Sequence, residues 1–233
     1  MPKFSSFNAF GSESFEIGQS HIPVWLGVVG PVPVGGTLKK DYAQKGFMLP
    51  AGSPVNLASK IITPFVMWEV VSYTAATTGD YDTIVIKPCV FGGIQVIPAA
   101  DDFVQALGAT FAATGKAAQV VAVTELTGDD AGKFSFTVDK TANLGSLSAG
   151  DVIVPSAAAA AGTGKSIAVK PNGYLYNDIY LGELTGDKDA YTIAATGAVV
   201  VNHPDGLLVE LTAAAPVKEQ MAAAVPGVYQ VLV

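Results

Sequence analysis

The chain has no arginine, and its acidic residues outnumber its basic ones. All thirteen basic residues are lysines, and they stand against twenty acids, which gives a formal net charge of −7. Arginine is the usual residue for bidentate capture of phosphate and carboxylate. Its absence, together with the acidic balance, argues against a nucleic-acid partner, a bound nucleotide or an anionic substrate.

Cysteine and histidine are almost as scarce. The single Cys89 excludes an internal disulfide and a cysteine-based zinc site, and it lies in an apolar run that favours a buried structural thiol. The two histidines, His21 and His203, are not spaced as a metal-binding pair. We therefore predict no catalytic residue, no metal site and no cofactor, and we expect that the protein is not an enzyme.

Charge and long apolar runs are also lacking. Charged residues make up 14% of the chain, against about 25% in typical proteins. The longest apolar run, residues 22–34, is interrupted by prolines and glycines, and a membrane helix needs about 20 apolar residues. We expect no contact with membranes and no secretory signal. A weakly charged surface implies uncharged patches of the kind that meet a partner or another copy.

One motif ends like a nucleotide-binding P-loop, at residues 161–166 (Ala-Gly-Thr-Gly-Lys-Ser). The first glycine of that motif is replaced by Ala159, and the motif needs a helix directly after it. The residues that follow here predict a strand and a turn instead. We interpret residues 157–164 as a flexible loop of small residues.

Pairs of nearby acids suggest calcium binding as an alternative to plain surface turns. Carboxylates one or two positions apart in a loop can hold calcium, but no twelve-residue EF-hand pattern accompanies them. We interpret these residues as solvated turn acids. The pairs are Asp80/Asp82, Asp129/Asp130 and Asp187/Asp189.

Most of the chain consists of short apolar or alternating runs separated by glycine-rich turns. Residues 116–125 and 134–138 flank a polar turn and predict a β-hairpin. Two segments, 101–107 and 216–224, predict short helices. We therefore expect a mainly β protein, a β-barrel or β-sandwich of short antiparallel strands with one or two short helices.

The chain divides into two expected regions. Residues 1–44 contain prolines and Gly35-Gly36 and predict an extended N-terminal arm. Residues 45–233 predict the β domain, within which residues 75–166 are a candidate inserted β subdomain. An apolar arm needs a surface to lie on, so Trp25, Val28 and Val29 are the predicted interface residues.

Several stretches resemble the decoration proteins of tailed-bacteriophage heads. Residues 46–55 (Gly-Phe-Met-Leu-Pro-Ala-Gly-Ser-Pro-Val) resemble the alanine-glycine turn at the start of such proteins. The helix 217–224, followed by residues 226–233, is similar to their closing helix and strand. Residues 147–154 and 171–179 look like the head-fibre and decoration proteins of crAss-like phages of gut bacteria.

The resemblance implies a structural virion protein on the outer surface of a phage capsid, made in the host cytoplasm. It implies contact with the phage major capsid protein and self-association, which we expect to give a homotrimer. About ninety residues, roughly 75–166, and the arm are additional to the small decoration proteins.

Two other classes of function stay open from the sequence. A carbohydrate-binding or adhesin-like module could use Tyr174, Tyr176 and Tyr180 as stacking faces for a host-surface glycan. A hydrolase could carry a Ser/His/Asp triad assembled by the fold, although no Gly-x-Ser-x-Gly nucleophile elbow occurs in the chain.

Overall fold

The computed structural model describes most of residues 34–225 and five short pieces outside or between its main segments. The described residues are 34–42, 47–89, 91, 96–142, 144–181, 196–200 and 215–225, with the pairs 3–4, 15–16, 25–26, 206–207 and 229–230.

The described residues are mainly β, as the sequence predicts. The strands are β1 (Lys3–Phe4), β2 (Phe15–Glu16), β3 (Trp25–Leu26), β4 (Val34–Leu38), β5 (Met48–Leu49), β6 (Pro54–Ala58), β7 (Ile61–Pro64), β8 (Trp68–Thr74), β9 (Tyr81–Pro88), β10 (Phe103–Ala106), β11 (Gly115–Glu125), β12 (Phe134–Asp139), β13 (Val152–Pro155), β14 (Gly162–Lys165), β15 (Gly173–Leu175), β16 (Ile179–Tyr180), β17 (Thr196–Val200), β18 (Gly206–Leu207) and β19 (Tyr229–Gln230). Short 3-10 helices occur at Lys40–Tyr42, Gly128–Asp130 and Lys140–Ala142, and one α-helix, α1, spans Ala215–Ala224.

Six strands form a closed antiparallel barrel. Their order is β10, β13, β8, β9, β12 and β11, and β11 pairs back with β10. Along β9 and β12, buried side chains alternate with partly exposed ones, and those that point inward form one apolar core. This alternation is the signature of strands with one face in a core, and closure gives each of the six strands two neighbours. The predicted hairpin is confirmed as β11 and β12.

Five other strands form a second, smaller barrel, in the order β15, β17, β4, β7 and β6, closed by the pairing of β6 with β15. The β4–β7 pair is parallel and the other pairs are antiparallel. The chain leaves this barrel after β7, forms the six-stranded barrel and returns at β15. The proposed subdomain 75–166 and the boundary at residue 44 stay predictions, although β4, inside the expected arm, is paired on both sides.

Helix α1 packs where residues of both barrels meet. Val217 and Met221 of the helix share a buried cluster with Val154 of the six-stranded barrel and Tyr174 of the five-stranded barrel. The predicted helix at 216–224 is therefore confirmed. Its apolar side chains link the two barrels, whose interiors are also both contacted by the partly buried Tyr42 and Val96.

The helix predicted at residues 101–107 is wrong, because residues 103–106 form strand β10. Val104 pairs with Ala118 on one side and Pro155 on the other. Asp102, expected at a helix start, instead accepts a hydrogen bond from the Ala99 amide in a turn. Backbone pairing on both sides outweighs a weak local helix pattern.

Candidate functional site

On the outer side of the six-stranded barrel, eight neighbouring residues of four strands form a patch without charged side chains, bounded by Glu69 and Lys87 at one end and by Asp139 at the other. In register, Thr83 lies beside Thr74 and Thr137, while Val85 lies beside Ser72 and Ser135. Inward-pointing neighbours such as Ile84 and Phe136 are fully buried, so these residues point outward. Four strands at about 4.8 Å spacing make a strip roughly 14 Å wide. We call it the uncharged face; its residues are Ser72, Thr74, Thr83, Val85, Ala122, Thr124, Ser135 and Thr137.

Two large apolar side chains lie at the margin of this face. Tyr81, at the start of β9, is 49% exposed, and Val121, in a register irregularity of β11, is 42% exposed. A bulge leaves its extra residue unpaired and re-aims it, which explains why a valine in the middle of a strand faces outward. Together these residues give the patch hydroxyl, methyl and aromatic groups, and Asp139, the register partner of Tyr81, lies at the same margin.

A groove lies between helix α1 and the loop that joins β10 to β11. It encloses about 310 Å³ and is lined by small, aromatic and polar side chains. Phe111 stacks edge-on against Phe65 with ring centroids 5.3 Å apart. Gln220 Nε2 donates a hydrogen bond to the carbonyl oxygen of Gly108 at 2.6 Å, which attaches the helix to the loop. We call it the helix groove; its lining residues are Ala109, Thr110, Phe111, Glu219, Gln220, Ala223 and Ala224.

The predicted interface residues are only partly within the described chain. Trp25 lies in β3, where its backbone pairs with that of Leu207 in β18. Val28 and Val29 lie outside the described residues, as do His21 and His203. The interface at Trp25, Val28 and Val29 therefore stays a prediction.

The three tyrosines considered as a sugar platform do not form an exposed row. Tyr174 is completely buried in the cluster beneath helix α1. Tyr176 is partly buried against the same cluster, and Tyr180 is half-buried in β16. A ring that is inside a core cannot stack on a ligand, so Tyr174 has a packing role.

One of the acids interpreted as a solvated turn residue is in fact buried. Asp82 points into the six-stranded barrel and is 1% exposed. Its carboxylate accepts hydrogen bonds from Tyr73 Oη at 2.9 Å and from the Ala76 amide at 2.9 Å. Asp80, Asp129 and Asp130 are exposed, in line with the turn interpretation, and Asp187 and Asp189 lie outside the described residues. Within the described ranges, no three histidine, cysteine, aspartate or glutamate side chains are grouped as metal ligands.

The loop interpretation of residues 157–164 is wrong for its last three residues, because the P-loop-like segment contains a strand. Residues Gly162–Lys165 form β14, which pairs with Gly115 and Ala117 of β11, and no helix follows in residues 166–172.

Cys89 is half-buried rather than fully buried, and it packs against the cluster beneath α1. In the part of the chain that the structure covers, no helix has the length and apolar character needed to cross a bilayer.

Sequence reasoning predicted uncharged surface patches but located neither of the two surfaces described above. The uncharged face is encoded as hydroxyl residues two apart within single strands, such as Ser135 and Thr137, but only the register places four such strands side by side. The helix groove joins residues about 110 positions apart, as the Gln220–Gly108 hydrogen bond shows.

Comparison with known proteins identifies no relative: no protein-family model, no curated protein and no solved structure matches the chain. The resemblance to phage decoration proteins therefore remains a hypothesis that the fold neither requires nor contradicts.

Proposed function

We propose that the chain is a structural virion protein that decorates the outer surface of a bacteriophage capsid. In this role it self-associates, with a homotrimer as the expected state, and binds the phage major capsid protein. The observation that carries the proposal is the uncharged face of the six-stranded barrel, a strip of hydroxyl and methyl groups with Tyr81 and Val121 at its margin.

The physical argument concerns the free energy of removing charges from water. Burying an ion in a contact carries a desolvation cost that often exceeds the Coulomb gain, whereas hydroxyl and methyl groups avoid most of it. A protein that repeats over a shell makes many identical contacts, none of which needs to be strong alone. An uncharged patch on a β surface suits such contacts, and the predicted apolar arm would add buried anchors.

Self-association is the first test, and it needs only the purified chain. The proposal expects a trimeric mass by light scattering. A monodisperse monomer at all accessible concentrations would contradict the proposed assembly.

Capsid binding is the second test, measured by co-sedimentation with purified heads of crAss-like phage. A truncation must stop before β4, since β4 pairs with both β17 and β7 in the five-stranded barrel. Deletion of residues 1–33 is expected to abolish co-sedimentation. A matched full-length variant with Val28→Asp and Val29→Asp separates the loss of apolar anchors from the loss of chain.

Normal head occupancy by both the truncated and the doubly substituted chain would contradict the arm as the attachment site. No binding of the intact chain to heads, combined with specific binding on a glycan array, would favour the adhesin alternative. The burial of Tyr174 already removes one of the three aromatic rings on which that alternative depends.

A further inference from the structure

One stretch of the six-stranded barrel has a partner strand on one side only. On its β10 side, β11 pairs at residues 117–119, and the Val120 amide then donates to the Asp102 carbonyl at 2.8 Å. Residues 99–102 form a turn there, so the chain before β10 leaves β11. Within the described residues, no strand continues the pairing along residues 121–125, which β12 flanks on the other side. We call residues 121–125 the β11 edge.

The backbones of Val123 and Glu125 point to the open side of this edge. The Leu126 amide donates to the Lys133 carbonyl at 3.0 Å, so Leu126 faces β12. Alternate residues of an antiparallel ladder bond to the same neighbour, so Thr124 also faces β12, and Val123 and Glu125 face away. Their N–H and C=O groups are those that a further strand would bind.

The side chains of the edge leave these groups accessible. Thr124 and Glu125 are exposed, and Val121 is 42% exposed beside them. Lysine and proline commonly protect an edge strand from other chains, and neither occurs in residues 121–125. An open edge of this kind binds another extended strand through main-chain hydrogen bonds.

We propose that the β11 edges of two copies of this chain pair antiparallel about a twofold axis centred on Thr124. In this register Val123 is opposite the partner's Glu125, and the N–H of each donates to the C=O of the other; the twofold axis repeats the exchange. Both residues that face the open side are then hydrogen-bonded. A register centred on Val123 would instead place Glu125 opposite the partner's Val121, which lies in the irregular part of β11.

A second copy fits this edge in charge and in length. Glu125 is the one charged residue among residues 121–125, and the twofold axis places it opposite the partner's Val123 rather than another carboxylate. The two Thr124 side chains meet, which is a favourable cross-strand pair and joins the uncharged faces of the two copies. The turn at 99–102 closes one end of the edge and the β11–β12 turn closes the other, so the matching strand is as short as the edge itself.

This contact goes beyond the proposed function, because it joins copies in pairs and does not depend on a capsid. It is much smaller than a standard interface, which involves about 20 to 30 residues a side, so it is weak alone. Such a contact gains strength when other contacts hold copies side by side. In an assembly of trimers, it would join one trimer to the next.

Disulfide trapping tests the register, because opposite residues of a non-hydrogen-bonded antiparallel pair have Cα atoms about 4.5 Å apart, and a disulfide bridges about 4.4 to 6.8 Å. With Cys89→Ala as the background, Thr124→Cys should give a cross-linked dimer in oxidised glutathione, read on a non-reducing gel. Thr74→Cys changes an exposed threonine at the far side of the uncharged face. It is the matched control and should cross-link at least about tenfold more slowly.

Substitution of Glu125 separates backbone pairing from charge. Glu125→Pro removes an N–H that points to the open side and leaves the bonds to β12 in place, since proline is tolerated where an edge residue makes no ladder bond. It should slow the cross-linking of Thr124→Cys at least about tenfold. Glu125→Ala keeps the N–H and should leave the rate within about threefold. Thermal unfolding of each reduced variant verifies that the fold is intact.

The edge contact is overturned if Thr124→Cys cross-links no faster than Thr74→Cys, or if Glu125→Pro leaves the rate unchanged. It is also overturned if Glu125→Ala slows the reaction as much as Glu125→Pro, which would assign the effect to charge. Rapid cross-linking through Thr124 in a chain that neither trimerises nor binds heads would support the edge contact and contradict only the proposed function. A trimer that binds heads but does not cross-link would contradict only the edge contact.

Discussion

Asp82 and Tyr73 form a polar pair at one end of the six-stranded barrel. The carboxylate of Asp82 accepts from Tyr73 Oη and from the Ala76 amide, so it ties the β8–β9 connection to strand β9. In the sequence, Asp82 resembles a turn acid because Gly79 and Asp80 precede it. In β9, however, it occupies one of the alternate positions whose side chains are buried in the barrel. A buried carboxylate is tolerated where donors satisfy it.

We expect Asp82→Ala to lower the free energy of unfolding by about 2 kcal/mol, since it leaves the Ala76 amide and the Tyr73 hydroxyl without their charged acceptor. Urea unfolding measures the change. Asp80→Ala, two residues away and exposed, is the matched control and should change stability by less than about 0.5 kcal/mol. Equal effects of the two substitutions would contradict a structural role for the Asp82 carboxylate.

Stability should fall at alkaline pH, in part through Tyr73. Burial, followed by the hydrogen bond to Asp82 and the charge of that carboxylate, raises the pKa of Tyr73 above 10.0. The folded state therefore favours the neutral phenol. Its contribution to stability is complete below about pH 10 and is lost as the pH rises through the folded-state pKa.

Tyr73→Phe should make the decline in unfolding free energy above about pH 10 shallower than in wild type. Burial also raises the pKa of Tyr42, so a double variant with Tyr42→Phe should flatten the profile further. Unfolding free energies measured from about pH 8 to 11 provide the comparison. A Tyr73→Phe profile parallel to that of wild type would disprove the assignment.

At the scale of single elements, two facing glycines allow the five-stranded barrel to close around large side chains. Gly36 of β4 and Gly197 of β17 are opposite each other in register. A Cβ atom at Gly36 would lie 2.8 Å from atoms of Ile62 and Leu57, and one at Gly197 would lie 2.9 Å from Ile179. Small residues on two strands thus make room for aliphatic ones on the others.

Gly36→Ala is expected to destabilise the fold by about 1 to 3 kcal/mol, because the added methyl group overpacks this interior. Gly35→Ala is the adjacent control, since a Cβ there meets nothing within 4 Å. It should be neutral or stabilising by about 0.5 kcal/mol, through reduced freedom of the unfolded chain. Denaturant midpoints distinguish the two, and similar values would show that Gly36 does not face a filled interior.

The alanine-glycine turn at residues 50–53 is held by several specific contacts. The Ala51 amide donates to Asp178 Oδ1 at 2.6 Å, and the Gly52 amide donates to the Leu175 carbonyl at 2.7 Å. Gly52 has φ 82°, in the region that favours glycine. The segment that carries the phage resemblance therefore has a local structural reason for its residues, whatever the protein does.

At the scale of the whole molecule, the two barrels are linked through the cluster beneath α1 and through Tyr42 and Val96, which pack against both interiors. Helix α1 contributes Val217, Met221 and the adjoining Val225, which pack with residues of both barrels. The separate interiors contain Phe136 and Val138 in one barrel and Leu49 and Leu175 in the other. Stability of the two barrels should be coupled through the helix.

Met221→Ala should cost about 2 to 5 kcal/mol, because Met221 is fully buried in the shared cluster. Hydrogen exchange should show lost protection in both β13 and β15, which belong to different barrels. Ala222→Ser, on the exposed side of α1, is the control and should change neither strand. Loss of protection confined to one barrel would contradict the coupling.

The sequence by itself determined the mainly β class, the β11–β12 hairpin and helix α1. These depend on short-range signals: side-chain alternation, a polar turn between two apolar runs, and a proline followed by helix formers. The barrel and sandwich alternatives could not be separated, because closure depends on pairs distant in sequence, such as β10 with β11 and β6 with β15.

Only the tertiary structure decided that residues 103–106 are a strand, that Asp82 and Tyr174 are inside, and that four strands share an uncharged face. Each of these outcomes depends on which strands are neighbours and on the register in which they pair. A shift of one residue in the register moves the side chains of a strand to the opposite face. Local sequence patterns do not determine this register, because it is set by backbone hydrogen bonds between distant segments and by the packing of the cores.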